Sequence, residues 1–379
     1  MKSHLPGVKK INLIYIISNI NKALAFEWIA RDLDKNKFNL IFIILNPGKS
    51  HLESFIRSQN IKVYFIRYTS TRQLPSIIFK LYKIFKKEKA DIIHSHLFAA
   101  SLAGMIAGKL AGVKRRIYTR HHATSHHIYH PKMVKYDRLI NRFATDIIAI
   151  SLNVEEILFE RENVPHEKVH LIHHGFELDS FENPDLEKVI LLQKKYNSGH
   201  RTPAIGVISR YTHWKGVQFT IPAFAKLLKN YPDAILILAN GSGEYTTEIR
   251  KLLSELPAGS YVEMAFEEDL FSLYQIFDIF VHVPIDSHSE AFGQTYVEAL
   301  SAGIPSVFTL SGIAKEFVID KKNALVVPFQ NSERIYESMK MFMEQPDVAK
   351  EIGSQGQKDV RKMFTLQKML NSLTSLYGK

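Results

Sequence analysis

Short apolar runs alternate with amphipathic stretches along the first half of the chain. The runs are rich in β-branched residues and too short for buried helices, whereas the intervening stretches have helical spacing. This alternation predicts strand–helix–strand units, and therefore a mostly parallel sheet with helices on both faces. The predicted strands are 11–17, 39–45, 62–66, 91–96, 116–118, 146–150 and 169–172, and the clearest helices between them are 23–33, 74–87 and 99–111.

A second alternating series follows a polar, turn-rich stretch at 177–203. The pattern predicts a Rossmann-like domain at 1–185, a second one at 186–355, and a helix at 356–379 that packs back on the first domain. The fold class is therefore α/β, with two doubly wound domains facing a central cleft, where ligands bind at the carboxyl ends of the strands. The second-series strands are 204–208, 234–238, 261–265, 279–283, 306–309 and 324–327, with helices at 216–228 and 294–301 and a helical tail at 332–377 broken near Gln345 and Pro346.

Composition narrows the class of protein. The 379 residues suit two domains, and no apolar run is long enough to span a membrane. The start of the chain has basic residues before an apolar run, as a signal peptide does, but the short β-branched run favours a first buried strand. The absence of cysteine excludes disulfides and thiolate metal sites and fits a reducing compartment. We therefore expect a cytoplasmic protein.

The net charge of +11 favours an anionic partner. A nucleic-acid partner is not predicted, because no dense basic patch with stacking aromatic residues and no known binding module is present. Two amphipathic stretches, 76–89 and 133–143, carry lysine and arginine on one side. Either they pack on the sheet and show a solvated basic face, or they rest on an anionic membrane surface on the cytoplasmic side.

Two glutamates in the second half stand eight positions apart, around a Phe-Gly pair that lies between a strand and a helix. Glu290 is predicted in the loop and Glu298 about one turn into the helix, so both can face a ligand beside backbone amides. The plainer alternative is that Glu298 complements the helix N-terminus while Glu290 is solvated. Arg210 and Lys215 follow the strand 204–208 and suit the clamping of a diphosphate, unless they are merely two solvated cations.

Histidines cluster in the first half of the chain. His121, His122, His126, His127 and His130 suggest a metal site, but no acidic residue stands at ligand spacing, so none is predicted. His94 and His96 lie on one face of a predicted strand, where packing is the better explanation.

The two charge motifs together resemble glycosyltransferase family 4, a family of retaining enzymes with the GT-B fold. "EAFGQTYVE" resembles the family's paired-glutamate motif, and "SRYTHWKG" resembles its Arg-x4-Lys-Gly motif, with Ser209 in place of a glycine. Further landmarks agree in order between residues 91 and 327. The resemblance implies that Arg210 and Lys215 neutralise the diphosphate of a nucleotide-sugar. It further implies that Glu298 binds the ribose hydroxyls and Glu290 those of the donor sugar.

The resemblance implies further contacts to the donor. A histidine of the first domain would lie beside the donor sugar, and His121 is favoured, with His122 close behind. The resemblance also implies the remaining donor contacts. The sugar or phosphate would lie near the backbone of Phe292, Gly293, Gln294 and Thr295, and the nucleobase would lie near Gly241 and Met264. No metal and no cofactor other than the nucleotide-sugar co-substrate are expected.

The acceptor would be a saccharide or a lipid-linked molecule, in the assembly of a cell-surface polysaccharide or glycolipid. Acceptor contacts stay open, because Ser18, Asn19, Asn21 and Lys22 stand where relatives often carry two glycines. Two alternatives remain. One is a non-catalytic binding protein of the same fold, and the other is a sugar-nucleotide epimerase.

Overall fold

A computed structural model describes residues 10–379, so the basic start of the signal-like stretch lies outside the described residues. Contacts divide the chain into two units. Unit 1 comprises residues up to 175 together with 366–379, and unit 2 comprises 176–365. The sequence places these boundaries at 185/186 and 355/356. The difference at the first boundary follows from Phe181, which packs against the rings of Phe271 and Tyr274 in unit 2.

Unit 1 contains a parallel sheet of seven described strands in the order β3-β2-β1-β4-β5-β6-β7. The order reverses direction beside β1, as in doubly wound folds. The strands are β1 (Ile11–Ser18), β2 (Phe38–Asn46), β3 (Lys62–Arg67), β4 (Ile92–His96), β5 (Arg115–Arg120), β6 (Asp146–Ala149) and β7 (Val169–Leu171).

The helices of unit 1 cover the sheet. One core contains Leu13, Phe42 and Ile117 from three strands, and the last helix of the chain adds Leu373 and Tyr377 to it. The Tyr377 hydroxyl lies 2.5 Å from that of Tyr15, so the end of the chain completes the first core. The helices are α1 (Leu24–Asp32), α2 (His51–Ser58), α3 (Leu74–Lys87), α4 (Phe98–Ala111), α5 (Ser125–Tyr129), α6 (Val134–Phe143), α7 (Leu152–Glu160) and, after unit 2, α17 (Leu366–Tyr377).

Unit 2 repeats the arrangement with six described strands in the order β10-β9-β8-β11-β12-β13. Its strands are β8 (Ala204–Ile208), β9 (Ile235–Ala239), β10 (Tyr261–Met264), β11 (Ile279–His282), β12 (Ser306–Phe308) and β13 (Leu325–Val326). Its helices are α8 (Leu178–Glu182), α9 (Leu186–Tyr196), α10 (Val217–Leu227), α11 (Thr246–Leu253), α12 (Leu270–Tyr274), α13 (Gln294–Ser301), α14 (Ala314–Phe317), α15 (Ser332–Glu344) and α16 (Pro346–Met363).

Every strand predicted from the sequence is present, with ends shifted by a residue or two. The helical tail is broken twice rather than once. The second break, missed by the sequence, lies at Phe364 and Thr365 between α16 and α17. Phe364 is buried against the rings of Phe292 and Phe317, and Thr365 forms a β-bridge with Phe176. Tertiary packing therefore sets this break, since no proline or glycine marks it.

Candidate active site

Strands β8 and β11 are neighbours at the reversal point of the sheet of unit 2, and each ends in a loop with predicted site residues. The loop after β8 carries Arg210 and Lys215 and turns at Gly216, whose φ is 75°. A β-carbon at Gly216 would lie 1.8 Å from the carbonyl oxygen of Val283. Only glycine therefore lets this loop pack directly on the end of β11.

The loop after β11 is held by its own backbone. The Glu290 amide donates to Ser311 Oγ at 3.0 Å, and the Phe292 carbonyl accepts from the Ile313 amide at 2.9 Å. Gly293, with φ of 86°, forms the turn into α13, where Gln294 is exposed and Thr295 half-buried. The Thr295 hydroxyl has no hydrogen-bond partner among the described residues. The backbone segment 292–295, predicted from the sequence to approach the donor, therefore forms the turn that leads into α13.

Glu290 lies at the centre of a buried charge cluster, which we call the Glu290 cluster: Lys215, His282 and Glu290. Glu290 Oε1 lies 2.5 Å from Lys215 Nζ and 3.1 Å from His282 Nε2. Burial acts to raise the pKa of Glu290, but the charge of Lys215 and the His282 hydrogen bond outweigh it and lower the pKa to about 2. Glu290 is therefore a carboxylate at neutral pH, and the alternative of a solvated Glu290 is wrong, because only 7% of the residue is exposed.

His282 was not predicted from the sequence. It ends β11 and is buried, and burial lowers its pKa. The one signal in the sequence is a histidine inside an otherwise apolar strand that leads directly into the Glu290 loop. That signal does not reveal the partner, because the contact forms only when the loop folds back over the strand end.

Glu298 has the opposite environment. It is buried in α13, and the hydroxyl of Tyr274 donates to its Oε2 at 2.8 Å. Burial raises the pKa of Glu298 to about 7, because the Tyr274 hydrogen bond offsets only part of the desolvation. The plainer alternative, in which Glu298 only complements the helix N-terminus, leaves this burial unexplained.

The other predicted residues of unit 2 lie around this centre. The Arg210 side chain is exposed and makes no hydrogen bond or ion pair with any residue of the range 10–379. Arg210 and Lys215 are therefore differently engaged, since Lys215 is already bound to Glu290. On the nucleobase side, the Gly241 amide donates to the Met264 carbonyl at 3.1 Å, so these two predicted residues are joined.

In unit 1, His121 belongs to a stack of imidazoles. Its Nε2 lies 3.0 Å from His96 Nδ1, and its ring is parallel to that of His174 at 5.7 Å. Burial, together with the neighbouring histidines, holds the pKa of His121 well below its usual value, so it is neutral. The packing prediction for the two strand histidines is confirmed: the ring nitrogens of His94 contact Thr119 and Tyr377, and the buried ring of His96 packs against those of Tyr15 and Phe26.

His122 points to a different partner. His122 Nε2 lies 3.3 Å and His126 Nδ1 2.7 Å from the same carboxylate oxygen, Oδ2 of Asp137. The sequence argument that no acidic partner is near was wrong, because Asp137 stands on α6 and only the fold brings it to the histidines. Within residues 10–379, these three side chains are the one group whose ligand atoms lie close enough together to hold a metal ion.

Comparison with known proteins decides the family. The model described as Glycosyltransferase Family 4 matches residues 28–180, and that described as Glycosyl transferases group 1 matches residues 190–359. The chain belongs to glycosyltransferase family 4. It is accordingly a glycosyltransferase, and the two matches cover both units.

Relatives within the family share about a quarter of their residues with this chain. The capsular polysaccharide biosynthesis glycosyltransferase CapM of Staphylococcus aureus is 24% identical over 309 residues, which is 79% of this chain and 80% of that protein. The UDP-Gal:alpha-D-GlcNAc-diphosphoundecaprenol alpha-1,3-galactosyltransferase of Escherichia coli is 23% identical over 324 residues, 81% of this chain and 80% of that one.

Solved structures agree on the fold. Anabaena Alr3699/HepE, crystallised with UDP and glucose, has a TM-score of 0.83 at 19% identity, covering 97% of this chain and 99% of that one. A glycosyltransferase from Rickettsia africae has a TM-score of 0.80 at 21% identity, covering 98% of each chain. The predicted GT-B fold of this family 4 enzyme is thereby confirmed. From residue 10 onwards, none of its helices has both the length and the apolar character that a membrane-spanning helix needs.

Proposed function

We propose that this family 4 enzyme transfers a sugar from a nucleotide-diphosphate sugar to a saccharide or lipid-linked acceptor, with retention of anomeric configuration. The Glu290 cluster carries the proposal, because it places a carboxylate and a primary amine 2.5 Å apart at the reversal point of a doubly wound sheet. A carboxylate suits sugar hydroxyls and an ammonium suits a phosphate.

The cations act on the leaving group. Lys215 is partly exposed and bound to Glu290, and the Arg210 guanidinium is exposed. A diphosphate that enters beside β8 takes Lys215 Nζ as one ligand and the guanidinium of Arg210 as another. Both charges then stabilise the negative charge that grows on the departing phosphate.

The two glutamates divide the rest of the donor. Once Lys215 turns to phosphate, Glu290 remains ionised beside His282 and accepts hydrogen bonds from hydroxyls of the donor sugar. Glu298, held by Tyr274, accepts from the ribose hydroxyls. The backbone of Phe292–Thr295 approaches the sugar or phosphate, and Gly241 and Met264 lie near the base.

Transfer follows a front-face route. The bond between the anomeric carbon and the phosphate oxygen breaks, and the acceptor hydroxyl oxygen bonds to the same face of that carbon. The departing phosphate oxygen takes the hydroxyl proton, so no enzymic nucleophile and no metal are needed. Retention of configuration is the direct consequence of attack on the face that the phosphate leaves.

The acceptor class rests on the relatives and on unit 1. The names of the two relatives place CapM in capsule biosynthesis and give the Escherichia coli enzyme a diphosphoundecaprenol-linked acceptor. In unit 1, α4 packs against both α3 and α6, the two helices with basic sides. We therefore propose assembly of a cell-surface polysaccharide or glycolipid by a cytoplasmic enzyme that rests on an anionic membrane surface.

The experiment begins with a thermal-shift screen of nucleotide-sugars, because a bound donor raises the melting temperature by mass action. The donor found is then used for turnover assays, and NMR of the early product reports the anomeric configuration. We expect retention, and we expect activity to persist in excess chelator. An inverted product, an epimerised donor, or activity that is lost in chelator and restored by a divalent ion would each contradict part of the proposal.

Two matched variants separate the roles of the glutamates. Glu298→Gln should mainly raise the dissociation constant of the nucleotide, whereas Glu290→Gln should mainly lower the rate of transfer, since only Glu290 touches the reacting sugar. Glu248→Gln, the same change on the exposed side of α11, is the control and should leave both unchanged. Equal effects of Glu290→Gln and Glu298→Gln on both quantities would reject this division.

A further inference from the structure

A cavity of about 210 Å³ lies inside unit 1, at the carboxyl ends of β4 and β5. It is smaller than the roughly 300–1,000 Å³ of pockets that enclose drug-sized ligands. It therefore suits a smaller group, such as one sugar ring. His121, the proposed contact to the donor sugar, is one of its lining residues, and so are His122, His126 and Asp137.

Asp137 provides an unused acceptor in this cavity. The residue is fully buried, and its Oδ2 receives both imidazole contacts described above. Its Oδ1 accepts no hydrogen bond from any residue of the described chain, although Arg120 Nη1 lies 3.4 Å away. A buried carboxylate oxygen without a hydrogen bond is costly, so a donor group of a ligand is its natural partner.

The imidazoles add acceptors of the same kind. His122 Nε2 and His126 Nδ1 both face a carboxylate oxygen, so each carries the proton at that nitrogen. In the neutral form of an imidazole, the nitrogen that carries no proton is an acceptor. The residues that line the cavity therefore offer up to three acceptors to the hydroxyls of a ligand: Asp137 Oδ1 and one ring nitrogen each of His122 and His126.

Part of the cavity lining is apolar, and it consists of Leu97, Phe98 and Ile140. Leu97 has φ of 67° and ψ of 160°, a region that is populated almost only by glycine. A strained non-glycine residue in the lining of a cavity is typical of a ligand site, and here the strained residue is the leucine at the junction of β4 and α4. A lining that combines acceptors with apolar carbon suits the hydroxyls and the C–H groups of a pyranose.

Charge selects among ligands. Arg120 is fully buried, and its other nitrogen lies 2.5 Å from Glu162 Oε1, so two carboxylates face this one guanidinium. An anionic ring, such as a uronate or a sugar phosphate, would meet two carboxylates against one guanidinium and would be repelled. A metal ion would also meet the positive charge of the Arg120 guanidinium, which stands beside the carboxylate of Asp137.

We propose that this cavity is the binding site for an uncharged hexopyranose ring of the acceptor, with Asp137 Oδ1, His122 and His126 accepting hydrogen bonds from its hydroxyls. The inference rests on the proposed function, because that function is the reason for assigning the ring to the acceptor rather than to an unrelated sugar. It goes beyond that function by naming the charge class of the ring and the residues of unit 1 that recognise it.

The test uses saturation-transfer NMR on the whole 379-residue chain with methyl α-glucoside, methyl α-galactoside and methyl N-acetyl-α-glucosaminide, compared with methyl α-glucuronoside. We expect at least one uncharged glycoside to bind and the glucuronoside not to. Asp137→Asn should weaken binding roughly 10- to 100-fold, the scale for losing a hydrogen bond to a charged group. His130→Gln, an exposed histidine beyond the cavity, should bind as the wild type does.

Two further arms keep the outcome decisive. His126→Gln retains a side-chain donor for Asp137, so it should fold even if Asp137→Asn does not, and it should weaken binding because it removes the ring acceptor. Zn²⁺ and inorganic phosphate are titrated in parallel. The proposal is overturned if no uncharged glycoside binds, or if both variants bind the glycoside as the wild type does. It is also overturned if Zn²⁺ or phosphate binds to and stabilises the wild type but not these variants. UDP-glucose binding is measured separately, so failure of the donor site and failure of this cavity are distinguishable.

Discussion

The two units use similar side chains for two different purposes. In unit 1, Asp137 lies between Arg120 and two imidazoles, and in unit 2, Glu290 lies between Lys215 and one imidazole. In both cases the cation and the imidazole hydrogen bonds outweigh burial and hold the pKa of the carboxyl below its usual value. Charge chemistry alone therefore does not distinguish the two clusters.

The difference is whether the cation can leave. The Arg120 side chain is 1% exposed and is shared with Glu162, whereas the Lys215 side chain is 18% exposed and has a long flexible stem. An arginine fork held by two carboxylates is a fixed part of the core, but a lysine at the edge of a loop can exchange one anion for another. The comparison teaches that Asp137 is paired with a fixed cation, whereas Glu290 is paired with a cation that can exchange one anion for another.

The largest expected effect comes from removing the fixed cation. Arg120→Met should lower the free energy of unfolding by about 3–5 kcal/mol, because it leaves the carboxylates of Asp137 and Glu162 buried without their shared cation. Urea denaturation measures the loss. Arg210→Met is the matched control and should change stability by only about 0.5 kcal/mol, since this side chain is exposed. Similar losses in the two variants would remove the distinction between the units.

Removing Lys215, the cation that can exchange its anion, should lower turnover rather than stability. Lys215→Ala or Arg210→Ala should reduce turnover by roughly 10²–10³-fold, the scale for one preorganised electrostatic contact. Steady-state rates with the donor identified by thermal shift measure this effect, and circular dichroism checks the fold. Near-normal turnover in both variants would reject the diphosphate clamp.

A third prediction sharpens the contrast within unit 2. The pKa of Glu298 rises on folding from 4.5 to about 7, so the folded state binds more protons than the unfolded state between these pH values. Stability should therefore fall as pH rises through that window, by roughly 3 kcal/mol. Glu298→Gln should flatten this part of the profile. Glu290 has the opposite sign: its contribution is present above about pH 4.5 and is lost as pH falls through about 2.

The smallest effect per residue concerns the surface of unit 1. Lys80, Lys83 and Lys87 are exposed on α3, and Lys83 lies over the ring of the exposed Phe79. Each lysine should contribute about 1 kcal/mol to binding of anionic vesicles. Changing all three to Glu should abolish sedimentation with such vesicles at low salt while donor binding persists. Changing Lys194, Lys229 and Lys251 of unit 2, which are also exposed, is the control.

High salt should release the wild type from the vesicles, because it screens surface charge. A wild type that ignores anionic vesicles even at low salt would favour the alternative that α3 and α6 only pack on their sheet. On that alternative the exposed basic side chains of α6, Lys135, Arg138 and Arg142, form a solvated face.

The limits of prediction are visible in particular residues. The sequence predicts α3 and α13 with their observed bounds, because their apolar spacing and the glycine before α13 are local signals. It also brings Glu290 and Lys215 into one site through the family resemblance. It did not predict Asp137 beside His122, or His282 beside Glu290, because these contacts join residues from different elements.

The sequence by itself determined the succession of strands and helices, the two motif loops and the family. These follow from periodicity and from short-range turn chemistry, which act between neighbours in the chain. Only the tertiary structure decided which carboxylates are buried, which cation each one holds, and therefore why the pKa of Glu290 falls and that of Glu298 rises. The physical reason is that desolvation and Coulomb energy depend on distances in space, and these exist only once the sheets and their loops have packed.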